Sequence, residues 1–194
     1  MKIRILLLIA FFSTLRVTRA LAQDSLIKHS VYVAPFVGLN STIKAPVYGA
    51  EVGYEFRLNK HLGLTGGLNI AYTQKNNPAI YDGNNGGNQA INSKLLQNAF
   101  YAGAKYYIGN FYVSADFGYQ DAYLTINHKY LGTGSSYNYG TYASNGFYRA
   151  YGLGYQMPLK KGDNIEIFTK GSNANSNTYY AIGFKYNFGL FKRK

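Results

Sequence analysis

The stretch Tyr180-Ala181-Ile182-Gly183-Phe184-Lys185-Tyr186-Asn187-Phe188-Gly189-Leu190 decides the fold. Tyr180, Ile182, Phe184, Tyr186, Phe188 and Leu190 share one parity; Ala181, Gly183, Lys185, Asn187 and Gly189 share the other. Successive side chains of a β-strand point to opposite faces, so this segment has one face suited to lipid and one that is small or polar.

The same dyad pattern recurs upstream. Tyr48 to Leu58 sets Tyr48, Ala50, Val52, Tyr54, Phe56 and Leu58 against Gly49, Glu51, Gly53, Glu55 and Arg57. Leu62 to Thr73 opposes Leu62, Leu64, Leu68, Ile70 and Tyr72 to Thr65, Asn69 and Thr73. Leu95 to Tyr107 and Phe111 to Gln120 follow, separated by the turn Ile108-Gly109-Asn110, and Phe147 to Met157 makes a sixth strand. Val31 to Leu39 reads as a first strand of open register, because both parities are apolar and Pro35 interrupts it. Ile165 to Lys170 makes a short seventh. Alternation over roughly ten residues marks strands that span an outer membrane. Between strands, Gln74 to Ser93 and Asp121 to Asn145 read as long loops, Asn59-Lys60-His61 and Pro158 to Asn164 as short turns, and Gly171 to Asn177 as a link.

The N-terminus carries an export signal: Lys2 and Arg4, an apolar run from Ile5 to Leu15, and the small-x-small site Ala20-Leu21-Ala22. The run is shorter than the roughly 20 residues a bilayer-spanning helix needs. Residues 1–22 are therefore expected to be removed, leaving 23–194 as one domain that begins at Gln23. Loss of the four basic signal residues leaves 16 basic against 8 acidic residues, a net charge of +8. These charges are scattered, unlike the clustered patch of a nucleic-acid-binding module, so no nucleic-acid partner is expected. Charged residues make up 14% of the chain, with 22 Gly, 21 Tyr and 12 Phe. Ordinary soluble domains carry about 25% charge, so the composition is that of a membrane barrel. There is no cysteine, hence no lipidated cysteine, disulfide or thiolate metal site.

Eight strands, an even number with both ends on one side, satisfy the closure that a membrane barrel requires. The sequence thus predicts an all-β, eight-stranded, antiparallel up-and-down transmembrane β-barrel in a bacterial outer membrane, with both termini periplasmic. Aromatic girdles are expected from Phe56, Tyr106, Phe111, Tyr155 and Phe188 at the inner interface and Tyr48, Tyr72, Phe100, Tyr119 and Tyr180 at the outer one. A soluble lipocalin-like barrel would reverse this sidedness, with an apolar interior. On these patterns the chain resembles the eight-stranded OmpA/OmpX-type outer-membrane barrels, in the version made of a barrel alone. The resemblance implies that Gly183, Tyr186 and Phe188 form the C-terminal signal read by the barrel-insertion machinery. Lys192-Arg193-Lys194 depart from it, since such barrels usually end on the final aromatic.

The inward parity gathers Glu51, Glu55, Asp116 and Glu166 with Arg57, Lys105, Lys170 and Lys185. In so narrow a lumen these are expected to compensate one another as a structural plug, with a narrow pore as the alternative. Tyr130, Tyr137, Tyr139 and Tyr142, among Gly, Ser and Asn, are the candidate binding surface for a glycan or protein ligand. Besides such a ligand, the expected partners are outer-membrane lipid and the insertion machinery. Some barrels of this size modify lipid A, and His128 with Ser135 or Ser136 and Asp121 is the one set on the correct side for that chemistry. No motif holds these groups together. His29, His61 and His128 share no metal-ligand spacing, and neither a metal nor a cofactor is expected.

Overall fold

Eight antiparallel strands close in chain order into a single barrel, with β1 hydrogen-bonded to both β2 and β8. The computed structural model describes residues 27–81, 88–130, 136–159, 163–174 and 177–192. The strands are β1 (Ile27–Asn40), β2 (Ala45–Arg57), β3 (Leu62–Tyr81), β4 (Asn88–Ile108), β5 (Phe111–Tyr130), β6 (Ser136–Pro158), β7 (Asn164–Ala174) and β8 (Asn177–Lys192). The signal-peptide reading of residues 1–22 lies outside the described residues, as does Ser135.

The alternation sorts the side chains as the sequence predicts. On β8, Tyr180, Ile182 and Phe184 are more than half exposed on the outer wall, while Ala181, Lys185 and Asn187 are buried inside. On β1 the register left open by the sequence is settled: Val31, Val33, Val37 and Leu39 face out, and Tyr32, Ala34 and Phe36 face in. The interior itself is part aromatic, which is why β1 looks apolar on both parities. Pro35 faces out opposite Ala50, at a point where the β1–β8 ladder passes from Val33↔Tyr186 to Phe36↔Gly183. Pro has no N–H to give to a ladder.

Inward rings need room, and glycines on neighbouring strands supply it. A Cβ at Gly154 would fall 2.3 Å from the Tyr112 ring, and one at Gly183 would fall 2.6 Å from the Phe168 ring. Gly183 therefore has a packing role of its own, whatever else the C-terminal pattern does.

Three short turns close one end. Asn59 Oδ1 accepts from the backbone N–H groups of His61 and Leu62 at 2.8 and 2.9 Å, an Asx turn between β2 and β3. Gly109 takes φ +65° in the two-residue β4–β5 turn, and residues 159–163 join β6 to β7. Both ends of the described strands β1 and β8 lie at this end, with Ile27 paired to Lys192.

The opposite end corrects the sequence reading. Within Gln74 to Ser93 and Asp121 to Asn145, the described residues are paired strand and not irregular loop. β3 and β4 stay paired as far as Tyr81↔Gln89, β4 and β5 to Asn88↔Tyr130, and β5 and β6 from Asp121↔Asn145 to Lys129↔Ser136. Hydrophobic alternation stops there, while backbone pairing continues regardless of side-chain pattern. The register shifts at Asn76/Ile80, Ala90/Asn92 and Thr125/Ile126 all fall in this extension. The proposed link Gly171 to Asn177 is likewise mostly strand: Ala174 pairs with Asn177, and Asn173 Nδ2 donates to Thr178 Oγ1 at 2.7 Å.

Phe184→Arg places a charge on the lipid wall and is expected to cost about 2–4 kcal/mol if the residue sits near the bilayer midplane. Gly183→Arg is expected to fail differently, by collision with Phe168. Urea titration of the barrel folded into lipid vesicles measures both, and an unchanged midpoint for Phe184→Arg would contradict the assigned wall.

Candidate functional site

The lumen is crossed by two groups of charges. In the first, nearer the short turns, Lys105 of β4 donates to Glu55 Oε2 of β2 at 2.7 Å and to Glu166 Oε2 of β7 at 2.9 Å. Arg57 Nε donates to Glu55 Oε1 at 3.0 Å, the Arg57 guanidinium donates to Gln156, and the Tyr107 hydroxyl donates to Glu55. Two rings cover the cations: Arg57 lies 4.0 Å from the Tyr107 centroid and Lys105 lies 4.4 Å from that of Tyr112. Such cation–π contacts supply part of what is lost on leaving water.

In the second group, Lys170 of β7 donates to Glu51 of β2, and Lys185 Nζ of β8 stands 3.9 Å from Glu51 Oε2. Asn69 Nδ2 donates to Glu51 Oε1 at 3.0 Å, and the Tyr179 hydroxyl donates to Asn69 Oδ1 at 3.1 Å. Lys185 lies 4.0 Å over the Tyr32 ring, whose hydroxyl is 2.7 Å from that of Tyr101. Asp116 accepts from Thr65 Oγ1 at 3.2 Å, and Gly103 leaves it room, since a Cβ there would fall 2.0 Å from Asp116 Oδ1.

All eight charged residues singled out from the sequence thus point into one lumen. Seven of them form ion pairs, and Asp116 joins through a hydroxyl. Between the two groups a cavity of about 20 Å³ remains, bordered by Tyr32, Glu51, Thr65, Tyr101, Asp116 and Lys185. That is room for about one water. The sequence reading missed Asn69, Tyr107, Gln156 and Tyr179 as members of these networks. Their shared inward parity was the available signal, but only the stagger of the strands shows which charge each one reaches.

The second candidate region is the extension of β3 to β6. The β2–β3 ladder ends at Val47↔Thr73 and the β6–β7 ladder begins at Arg149↔Asn173. β3 from Gln74 onward and β6 before Tyr148 therefore form the two lateral edges of a four-stranded sheet rising beyond the rim. Tyr130 lies at the tip of β5, and Tyr137, Tyr139 and Tyr142 lie on β6, opposite His128, Ile126 and Leu124. The sequence placed these tyrosines in a loop, whereas they are strand residues. His128 and Asp121 are seven residues apart on β5, about 23 Å at strand spacing, so the strand keeps this pair from forming the orienting half of a triad.

Lys105→Met is expected to cost about 3–5 kcal/mol, because it removes the ion-pair partner of the buried Glu166 and one of the two cations on Glu55. Lys105→Met with Glu166→Gln is expected to recover most of that, since Glu55 keeps Arg57. Urea titration in vesicles checks this, and equal losses in the two variants would contradict a compensating network. In planar bilayers, steady large single-channel currents would contradict a filled lumen.

No protein-family model matches the chain, and no characterised protein matches it by sequence. Solved structures do resemble it. The attachment invasion locus protein Ail of Yersinia pestis, crystallised with the heparin analogue sucrose octasulfate, is 12% identical over 86% of this chain and 100% of its own, with a TM-score of 0.52. Neisserial surface protein A is 12% identical over 87% of this chain and 100% of its own, with a TM-score of 0.39. The outer membrane enzyme PagL is 12% identical over 82% and 99%, with a TM-score of 0.38. Closed in chain order, apolar outside and charged within, the chain has the transmembrane eight-stranded fold of the OmpA/OmpX type.

Proposed function

We propose that this protein is a non-enzymatic barrel of a bacterial outer membrane, with periplasmic termini, that engages a ligand at the cell surface through the β3–β6 extension. One observation carries the reading: among the described residues, the edges of β3 beyond Thr73 and of β6 before Ser144 run past the ladders with β2 and β7. An unpaired edge presents a row of N–H and C=O groups that an extended peptide can complete. Tyr130, Tyr137, Tyr139 and Tyr142 bring ring-bearing residues to the same sheet. Tyrosine gives large contact area at low entropy cost. The filled lumen favours this surface role over a narrow pore. The likeness to Ail extends to the fold alone, so its heparin-analogue complex serves here to choose a glycan probe.

Replacing residues 125–141 by an Asn-Gly turn shortens the hairpin above the pair Leu124↔Tyr142 and leaves the lipid-embedded ladder intact. Cells carrying the full protein are expected to bind arrayed extended peptides or immobilised sucrose octasulfate. The shortened variant is expected to insert normally and lose that binding, and changing Tyr130, Tyr137, Tyr139 and Tyr142 to Ser is expected to weaken it. Binding that survives both changes would sink the surface reading, and a change in lipid A acylation on expression would replace it with the enzymatic one.

A further inference from the structure

Arg149 is out of place by the logic of the outer wall. It lies on the outward parity of β6, between Phe147 and Tyr151, and is exposed. Among the described outward-facing residues from Tyr119 and Phe147 down to Phe111 and Tyr155, it carries the one charge. Across the ladders it faces Phe117 on β5 and Asn173 on β7. Its Nε–H donates to Asn173 Oδ1 at 3.2 Å, and its two terminal nitrogens make no other hydrogen bond among the described residues.

Its depth explains how the wall tolerates it. From Arg149 to the strand end at Pro158 is about 30 Å along the strand, or about 23 Å along the normal at the usual tilt. That is close to the height of a barrel's apolar band, and β7 itself ends at Ala174, one residue beyond Asn173. Arg149 thus stands at the interface farthest from the short turns, where a cation is tolerated.

Directly below it on the same wall is an open surface groove lined by Val113, Tyr151, Leu153 and Thr169, together with Ser114 and Gly152. The ladders account for it. Leu153 is flanked across the sheet by Val113 and Thr169, and the inward neighbours Ser114 and Gly152 add little bulk beneath them. A guanidinium whose terminal nitrogens have no hydrogen-bond partner among the described residues, above an apolar groove on the same wall, matches a phosphorylated acyl lipid. The phosphate takes two hydrogen bonds from the guanidinium, and one acyl chain lies in the trough.

We propose that the outer face of β5 to β7 is a binding site for lipid A, with Arg149 holding a phosphate, Asn173 fixing the guanidinium, and Tyr151 and Leu153 walling an acyl chain. The choice of lipid A over a glycerophospholipid rests on the orientation proposed above, which sets Arg149 in the outer leaflet.

Native mass spectrometry of the detergent-purified barrel tests the site with three probes: bisphosphorylated lipid A, the same lipid with its phosphates removed, and phosphatidylglycerol. The intact protein is expected to retain bisphosphorylated lipid A best. Arg149→Gln is expected to lower that retention roughly tenfold while leaving heat-modifiable migration unchanged. Thr169→Phe, which fills the trough, is expected to lower it while keeping Arg149. Equal retention by the intact protein and Arg149→Gln would overturn the site. Preference for phosphatidylglycerol would overturn the occupant, and a dimer lost in Arg149→Gln would give this face to a second copy instead. Orientation is read separately, by labelling Thr42→Cys in intact cells with an impermeant maleimide. The native chain holds no cysteine, so the introduced thiol is the single labelling site. Labelling is expected, and its absence would overturn the orientation and the choice of lipid A with it.

Discussion

The pairing of β1 with β8 is the constraint on which the rest of the molecule depends. In hydrocarbon no water is present to satisfy backbone N–H and C=O groups, and each one left unpaired costs several kcal/mol. An open sheet would expose two such rows. The ladder from Ile27↔Lys192 to Asn40↔Tyr179 removes both at once. Closure then dictates the side-chain pattern, because one parity of every strand must meet lipid and the other must fill a narrow interior. It also explains where the rule lapses. Beyond Thr73 on β3 and before Arg149 on β6 the ladders with β2 and β7 stop, and among the described residues lateral edges occur there and nowhere lower.

The charged interior fits the same logic. Buried ion pairs are weak contributors to stability when compared with apolar residues of equal size. Here they make the two faces of each strand unlike. A one-residue slip of β2 against its neighbours would carry Glu51, Glu55 and Arg57 to the lipid wall and bring Val52 and Tyr54 inside. Glu55, Lys105 and Glu166 join β2, β4 and β7 across the lumen, so the register of each strand is checked by strands it does not touch. The inward rings of Tyr32, Tyr107 and Tyr112 let cations lie over them, which allows a filled interior to be part aromatic without losing its distinction from the wall.

Much of the barrel is legible in the sequence because lipid and lumen impose opposite demands on adjacent residues. The parity of β2, β4, β5 and β8 follows from that alone, and Asn59 and Gly109 mark turns by their own backbone chemistry. Three features are not legible, each for a physical reason. β1 carries Tyr32 and Phe36 inward, so an aromatic interior hides its register. The upper halves of β3 to β6 carry no lipid-driven alternation, and Asn, Gly, Ser and Tyr there read as loop although the ladders continue. The partnership of Glu51 with Lys170, and of Lys105 with both Glu55 and Glu166, depends on strand stagger, which side-chain pattern does not encode.

The central claim is that Phe184 and its parity mates meet lipid while the opposite parity fills the lumen. The chain has no tryptophan, so a single substitution gives a clean fluorescent reporter. Phe184→Trp and Phe168→Trp place that reporter on the outer wall and in the interior, where Phe168 is 4% exposed. In bilayers whose acyl chains carry bromine, fluorescence of Phe184→Trp is expected to be strongly quenched and that of Phe168→Trp largely spared. Quenching of Phe168→Trp with sparing of Phe184→Trp would contradict the account.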